Sequence, residues 1–410
     1  MGKALIIAGS NGGTVANGSE FSLGGYGTIT STEVQSQVSC TEAATFSTLR
    51  GSVVTGNSGT ATFRFRDAGA NGSEVFQITG TGIGEDATNT DSLTAGDLFN
   101  IAYTDTGTDS GVAWVTANVE FGSGHGSFHI AADYGGRVHD VQSATRFISI
   151  NGNMPIDGQA TEDNVEWLVR GYDSFEALQV YVSANARAND SIFRNRINGG
   201  DGSAVITYGS GATGLITDTV LGDAITAGQT VNASLTLDTG VQGLTVHFIG
   251  ATLKSSASKS EVASCFQVGV ARTASATAHY IPIGGRMPAM GTFSDAQARI
   301  KVGFAAVVSN LRCYLSANTY TGDGTLKLYQ NGSAVLTTTI TASGGAAWYE
   351  NTSDTITIDA DDELSFEFDE GTSGSITIHS VGITFAPVEA GGGTILPQMM
   401  QHGLFLGMRT

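Results

Sequence analysis

The sequence predicts an all-β protein of three tandem β-sandwich domains of the jelly-roll kind, from an internal repeat of about 133 residues. Three observations predict it. First, stretches recur at that offset. RFISINGNMP at Arg146–Pro155 answers to HYIPIGGRMP at His279–Pro288, and QVYVSAN at Gln179–Asn185 answers to RCYLSAN at Arg312–Asn318, with a weaker counterpart at Gly51–Asn57. Second, each copy offers about eight short apolar runs parted by turn residues, as an eight-strand sandwich requires. Third, the alternation of apolar residues slips phase at one place in every copy.

The elements follow in order. In RFISI and HYIPI, Ile148 and Ile150, like Ile281 and Ile283, alternate with their neighbours and should face a core. The Met-Pro that follows ends the strand, since proline cannot donate to a ladder. The opening ALIIAGSNGG from Ala4 matches this stretch at an offset of 142, which places extra residues in the first copy near 15–45. EDNVEWLVR reads as a strand or a helix; Val165, Trp167 and Val169 alternate. A strand–turn–strand block then recurs from Ala61, Ser191 and Thr325, with Asn-Gly or Gly-Asp-Gly between alternating runs, a strong short hairpin signal. The next block alternates most clearly at Leu364, Phe366 and Phe368. In the last block the phase slip predicts a β-bulge near Val115–Thr116, His247–Phe248 and His379–Ser380.

These elements divide the chain into a first sandwich at 1–121 (with the insertion near 15–45), a connector at 122–145, a second sandwich at 146–253, a connector at 254–278, a third sandwich at 279–388 and a C-terminal arm at 389–410. A period this long is that of whole domains rather than solenoid or propeller repeats. A unit near 130 residues buries roughly two-thirds of its unfolded surface, enough for its own core.

Composition limits function. Charged residues make up 14% of the chain, below the roughly 25% of ordinary globular domains. Asp and Glu outnumber Lys and Arg 38 to 19, a net charge of −19, and no basic patch forms. Direct binding to nucleic acid and to anionic membranes is therefore disfavoured. Cys40, Cys265 and Cys313 have no metal-site spacing, and Cys313, within LRCYL, reads as a buried small hydrophobe. The apolar run Ala4–Ala8 is shorter than an export signal's, so no signal peptide is expected.

The search for chemistry returns no catalytic, cofactor or metal site. His125 and His129 have metal spacing but lie in GHGSFHI, which reads as loop and strand and lacks a zinc-protease Glu. His247 and His379 share one place in the repeat where the first copy is matched to Val115, so they read as residues beside the bulge. Asp359, Asp361, Asp362 and Glu363 do not fit a calcium loop and read as a solvated turn. Trp114 and Trp167 sit in apolar phase and read as core. Trp348 and Tyr349, in GGAAWYE, form a possible ligand loop. After the Gly391–Gly393 linker the arm carries Ile395, Leu396, Met399, Met400, Leu404, Phe405, Leu406 and Met408. So many apolar groups either dock on a partner or pack on their own third domain.

Tandem Gly/Thr/Asn-rich sandwiches, few lysines, strong acidity, no catalytic motif and an apolar tail together resemble the virion proteins of tailed phages, in particular capsid decoration (cement) proteins. The resemblance is architectural and spans the chain. It implies a non-enzymatic structural protein of the virion, made in the host cytoplasm, that binds an assembled shell and reinforces it, often at three-fold positions. Its partners would be the major capsid protein or other virion proteins. It would act as a homotrimer or as a single-chain mimic of a trimer. The alternative is a tail or fibre protein that binds a host receptor or glycan. A polysaccharide-degrading enzyme stands third, because no acidic constellation is evident.

Overall fold

The computed structural model describes residues 3–9, 14–21, 32–56, 58–107, 110–122, 126–140, 144–154, 158–219, 222–237, 242–273, 278–284, 294–369 and 373–388. Among them strands dominate, and the helical segments are single turns at Glu33–Gln35, Glu162–Val165 and Asp295–Ala298. Each repeat folds into two antiparallel sheets. In the first sandwich one sheet runs Lys3–Gly9, Ser110–Phe121, Ala44–Thr55, Gly82–Leu93; the facing sheet runs Ser19–Phe21, Leu98–Asp105, Thr60–Asp67, Ala70–Thr79. Counting these strands in chain order, the sheets read 1-8-3-6 and 2-7-4-5, two interlocked Greek keys and hence a jelly roll. The same order recurs in the second sandwich (first strand Gly126–His139, eighth Leu244–Lys254) and the third (first strand Ser260–Thr273, eighth Ser375–Pro387). A two-residue strand adds to the facing sheet each time, at Val38–Ser39, Trp167–Leu168 and Ile300–Lys301.

The cores are those the alternation implies. Ile148 and Ile150 sit in the second core, Ile281 and Ile283 in the third, all essentially without exposure. Leu364, Phe366 and Phe368 line the third core, and Cys313 is buried there, its thiol pushed up by desolvation. The hairpin at Asn331–Gly332, and that at Asn198–Gly199, turn on two consecutive positive φ angles. The first copy turns instead at Ala68–Gly69, and its Asn71–Gly72 lies inside the returning strand Ala70–Thr79. EDNVEWLVR splits into the turn Glu162–Val165 and the short strand Trp167–Leu168.

Several boundaries differ from those read in the sequence. The connectors at 122–145 and 254–278 hold the 14-residue first strands Gly126–His139 and Ser260–Thr273. Lys3–Gly9 pairs with the eighth strand of its own sandwich, Lys3 opposite Glu120, just as those two first strands do with theirs. It is therefore the counterpart of those strands and not of RFISI. RFISI answers to Ser19–Phe21, where Phe21 pairs with Ile101 as Ile148 pairs with Ala233. With that register no extra residues remain to be placed near 15–45. Two apolar strands of similar composition were exchangeable locally; their partners, far along the chain, distinguish them.

Candidate functional site: the three seams of a closed ring

A lone sandwich leaves alternate residues of each strand in water. Here the eighth strands are buried on both faces: every residue is buried from Ser110 to Val119, from Val246 to Leu253 and from Ile378 to Phe385. The second face is covered by the neighbouring sandwich. Tyr181 and Phe248 of the second sandwich, with Leu215 beside them, join the core of the first. Leu5, Ile7, Ala113 and Trp114 of the first join the core of the third. The turn Glu162–Val165 of the second touches Ser260–Thr273 and Ser375–Pro387 of the third, and burial, with the charges of Asp163 and Glu166, pushes the Tyr314 hydroxyl up. The contact thus runs second onto first, third onto second and first onto third. A head-to-tail interface used three times that closes on itself is a three-fold ring, here within one chain. The three first strands, Lys3–Gly9, Gly126–His139 and Ser260–Thr273, touch one another at its centre.

The same register position reaches across each seam. Arg50, Gln179 and Arg312 occupy equivalent places on the third strands, opposite Glu85, Thr217 and Glu350. Gln179 accepts from the Ser39 N–H at 3.0 Å and donates to the Ser39 carbonyl at 2.8 Å, so its amide acts as one rung of backbone. Thr41–Thr252 at 2.9 Å and Lys254–Glu42 at 3.6 Å flank it. Arg312 donates to the Leu168 carbonyl at 2.9 Å and pairs with Glu261 at 2.6 Å, both side chains having 0% exposure. Glu261 also accepts from the backbone N–H groups of Arg170 and Gly171 and from the Thr384 hydroxyl. Burial pushes this carboxyl up; the Arg312 charge and those donors pull it back. Arg50 binds Glu85 of its own sandwich at 2.8 Å and Asp361 of the third at 2.5 Å.

Close backbone approach needs glycine at two of the seams. A Cβ on Gly303 would lie 2.0 Å from the Asn118 side chain, and one on Gly171 would press on Thr384 and Glu261. Between the second and third sandwiches Gly152–Asn153 also slots in, parallel to both first strands, so two sheets become one of ten strands.

The residues singled out in the sequence fall around these seams. His129 lies on Gly126–His139, 3.1 Å from the Tyr172 hydroxyl, which accepts from the Glu261 N–H; burial pushes the imidazole down to about 3. His125 lies outside the described residues. His247 bonds Ser183 at 2.8 Å and His379 bonds Ser316 at 2.9 Å, each at the point where the strand register shifts. In the first copy the equivalent shift falls between Val112 and Trp114, with a second between Thr116 and Asn118. The bulge residue there is thus Ala113, two places before Val115. Asp361 serves as the partner of Arg50, and Asp362 accepts from Gln330 and Asn331, which pull its carboxyl down. Trp348 and Tyr349 lie in the strand Ala347–Ile358 rather than a loop: Tyr349 points into the third core and bonds Asn318, while Trp348 is half-buried against Tyr314. The apolar arm, Ile395 to Met408, lies outside the described residues. Among the described residues no three His, Cys, Asp or Glu side chains are grouped to hold a metal, and no helix is long and apolar enough to cross a membrane.

Arg50 and Glu261 escaped the sequence reading. The available signal was an arginine inside an apolar strand, LRCYL; the first copy hid its counterpart because Gly51, not Arg50, was matched to Gln179.

No family model matches the chain, and no curated protein matches it. Among solved structures it is similar to the insecticidal delta-endotoxin Cry8Ea1 of Bacillus thuringiensis (10% identity over 61% of this chain, TM-score 0.19). The chain spans 60% of that toxin's length. It is also similar to the major capsid protein P2 of bacteriophage PM2 (10% identity, 65% of this chain and 99% of that one, TM-score 0.18). A third similarity is to PNGF-II (9% identity, 80% and 99%, TM-score 0.19). At such scores none of the three carries an argument about this chain.

Proposed function

We propose that the protein is a non-enzymatic structural component of a virion, a decoration protein that caps three-fold positions of an assembled shell. The observation that carries this reading is the closed ring. Three like sandwiches in head-to-tail contact present the same strand framework three times around one axis, which suits a partner of three-fold symmetry. Three weak contacts made by one chain add by avidity, so none need be strong. Ring closure uses the conspicuous buried polar groups, Arg312, Glu261 and Gln179, for architecture. The low charge content and net charge of −19 suit a protein needed in solution at high copy number. The arm, with Ile395, Leu396, Met399, Met400, Leu404, Phe405 and Leu406, supplies apolar anchors for docking on the shell.

The test is to incubate the purified chain with shells that lack it and image them. The expected result is saturable binding with one chain at each three-fold position, and weakened binding after deletion of residues 389–410. Density at a tail tip instead, with glycan binding lost in Trp348→Ala, would replace this reading with that of a receptor-binding tail protein. The half-buried Trp348 beside Tyr314 is the feature that favours that second reading.

A further inference from the structure

We infer that the ring is a clasp: it opens at the seam between the first and third sandwiches while the other two seams stay shut. The three seams share one geometry but are held differently. The first and second sandwiches are joined by the few residues between Phe121 and Gly126, the second and third by those between Lys254 and Ser260. Tethers this short hold their partners at high effective concentration. The first and third have no tether of their own; the whole second sandwich lies between them in the chain.

The polar contacts differ in the same direction. Between the second and third sandwiches, Arg312 and Glu261 of the third, paired with each other at 0% exposure, reach across to the Leu168 carbonyl and to the Arg170 and Gly171 N–H groups of the second. The Gly152–Asn153 strand stitches that seam into a continuous sheet. Between the first and second, Gln179 pairs with backbone in a buried site. Between the first and third, the bonds from Arg50 and Lys301 end on Asp361 and Glu85, whose side chains are 62% and 41% exposed. Water and salt reach these and screen them. Beside these, the Asn118 side chain lies against Gly303, and Leu5, Ile7 and Trp114 pack on the third core. Opening this seam breaks no backbone ladder in the described residues and uncovers Leu5, Ile7, Ala113 and Trp114.

Two tryptophans report on the two kinds of seam. Trp114 and Trp167 both have 0% exposure. Trp114 lies in the first–third seam; Trp167 lies behind the second–third seam, its ring 4.5 Å from that of His129. Hydroxyl-radical footprinting of the intact chain, read by mass spectrometry, measures both at once. Trp114 should oxidise faster than Trp167, and the ratio should rise about two- to fivefold between low salt and about 1 M salt, the population change an exposed ion pair is worth. Arg50→Ala should produce the same rise at low salt. Equal protection of the two tryptophans at every salt concentration overturns the inference, and so does a rise that both share, since that reports loosening of the whole chain. The wild-type salt series decides the matter even if Arg50→Ala folds poorly, and it needs no shell.

Discussion

Replacing Arg312 by Met tests the buried seam most directly. Methionine fills most of the space of the side chain but removes the cation from Glu261, which has 0% side-chain exposure. Removing one partner of a buried pair costs about 3–5 kcal/mol. Protonation of the stranded carboxyl limits that cost. From an ordinary value near 4.3, neutralising a glutamate requires about 4 kcal/mol at pH 7.5 and about 1 kcal/mol at pH 5. The Leu168 carbonyl, left without its donor, adds about 1 kcal/mol at either pH. In the variant, Glu261 folds as a neutral acid, so its folded pKa lies above its unfolded one. Such a group favours the folded state below the unfolded pKa, and that contribution is lost as pH rises. The expected loss is therefore about 4–5 kcal/mol at pH 7.5 and about 2 kcal/mol at pH 5. Urea denaturation at both pH values, followed by tryptophan fluorescence, measures it. Glu261→Gln combined with Arg312→Met should recover much of the loss at pH 7.5, because no charge is then buried. A loss below about 1 kcal/mol at pH 7.5, or one that does not change with pH, would refute the reasoning.

Three further outcomes follow from the geometry. Gln179→Ala leaves the N–H and carbonyl of Ser39 unpaired in a buried seam and should cost about 1–3 kcal/mol in a thermal or urea melt. Glu74 is fully buried, accepts from the Leu49 N–H, and is pushed up to about 8 by burial and by Asp91 and Asp86. Its folded pKa exceeds its unfolded one, so it stabilises below about pH 4.5 and that contribution is lost as pH rises toward 8. Glu74→Gln should therefore gain on wild type by a few kcal/mol between pH 5 and pH 8 in parallel melts. Asp86 goes the opposite way. Donors at Val75, Thr88 and Asn89 pull its carboxyl far down, so its contribution is present above its unfolded pKa and lost in acid. Asp86→Ala should cost about 1–3 kcal/mol at pH 7 and flatten the acid limb of the stability curve.

The residues that escaped or misled sequence reading share one physical cause. The match of ALIIAG to RFISI failed because both are short apolar strands; what separates them is pairing with Ser110–Phe121 in one case and Thr230–Thr236 in the other. The bulge was legible at His247 and His379 and misplaced by two residues in the first copy, since a run such as VAWVTANV carries no mark of which face each residue takes once both faces are buried. Arg50 was hidden by an offset of one. Trp348 looked like loop because of the glycines before it, yet it pairs with Tyr314 in the strand ladder.

By itself the sequence determined most of the strands, the hairpin turns of the second and third copies, the threefold repetition and the inward positions such as Ile148 and Phe366. Each of these depends on neighbours within a few residues, through two-residue alternation and turn geometry. Only the tertiary structure decided which strands pair, that the outer faces at Tyr181, Phe248 and Trp114 are covered too, and that three sandwiches close into a ring. Those outcomes depend on contacts between residues such as Gln179 and Ser39, or Arg50 and Asp361, 140 and 311 positions apart. No local pattern encodes a distance of that kind, because burial against another domain looks, in the chain, the same as burial within one's own.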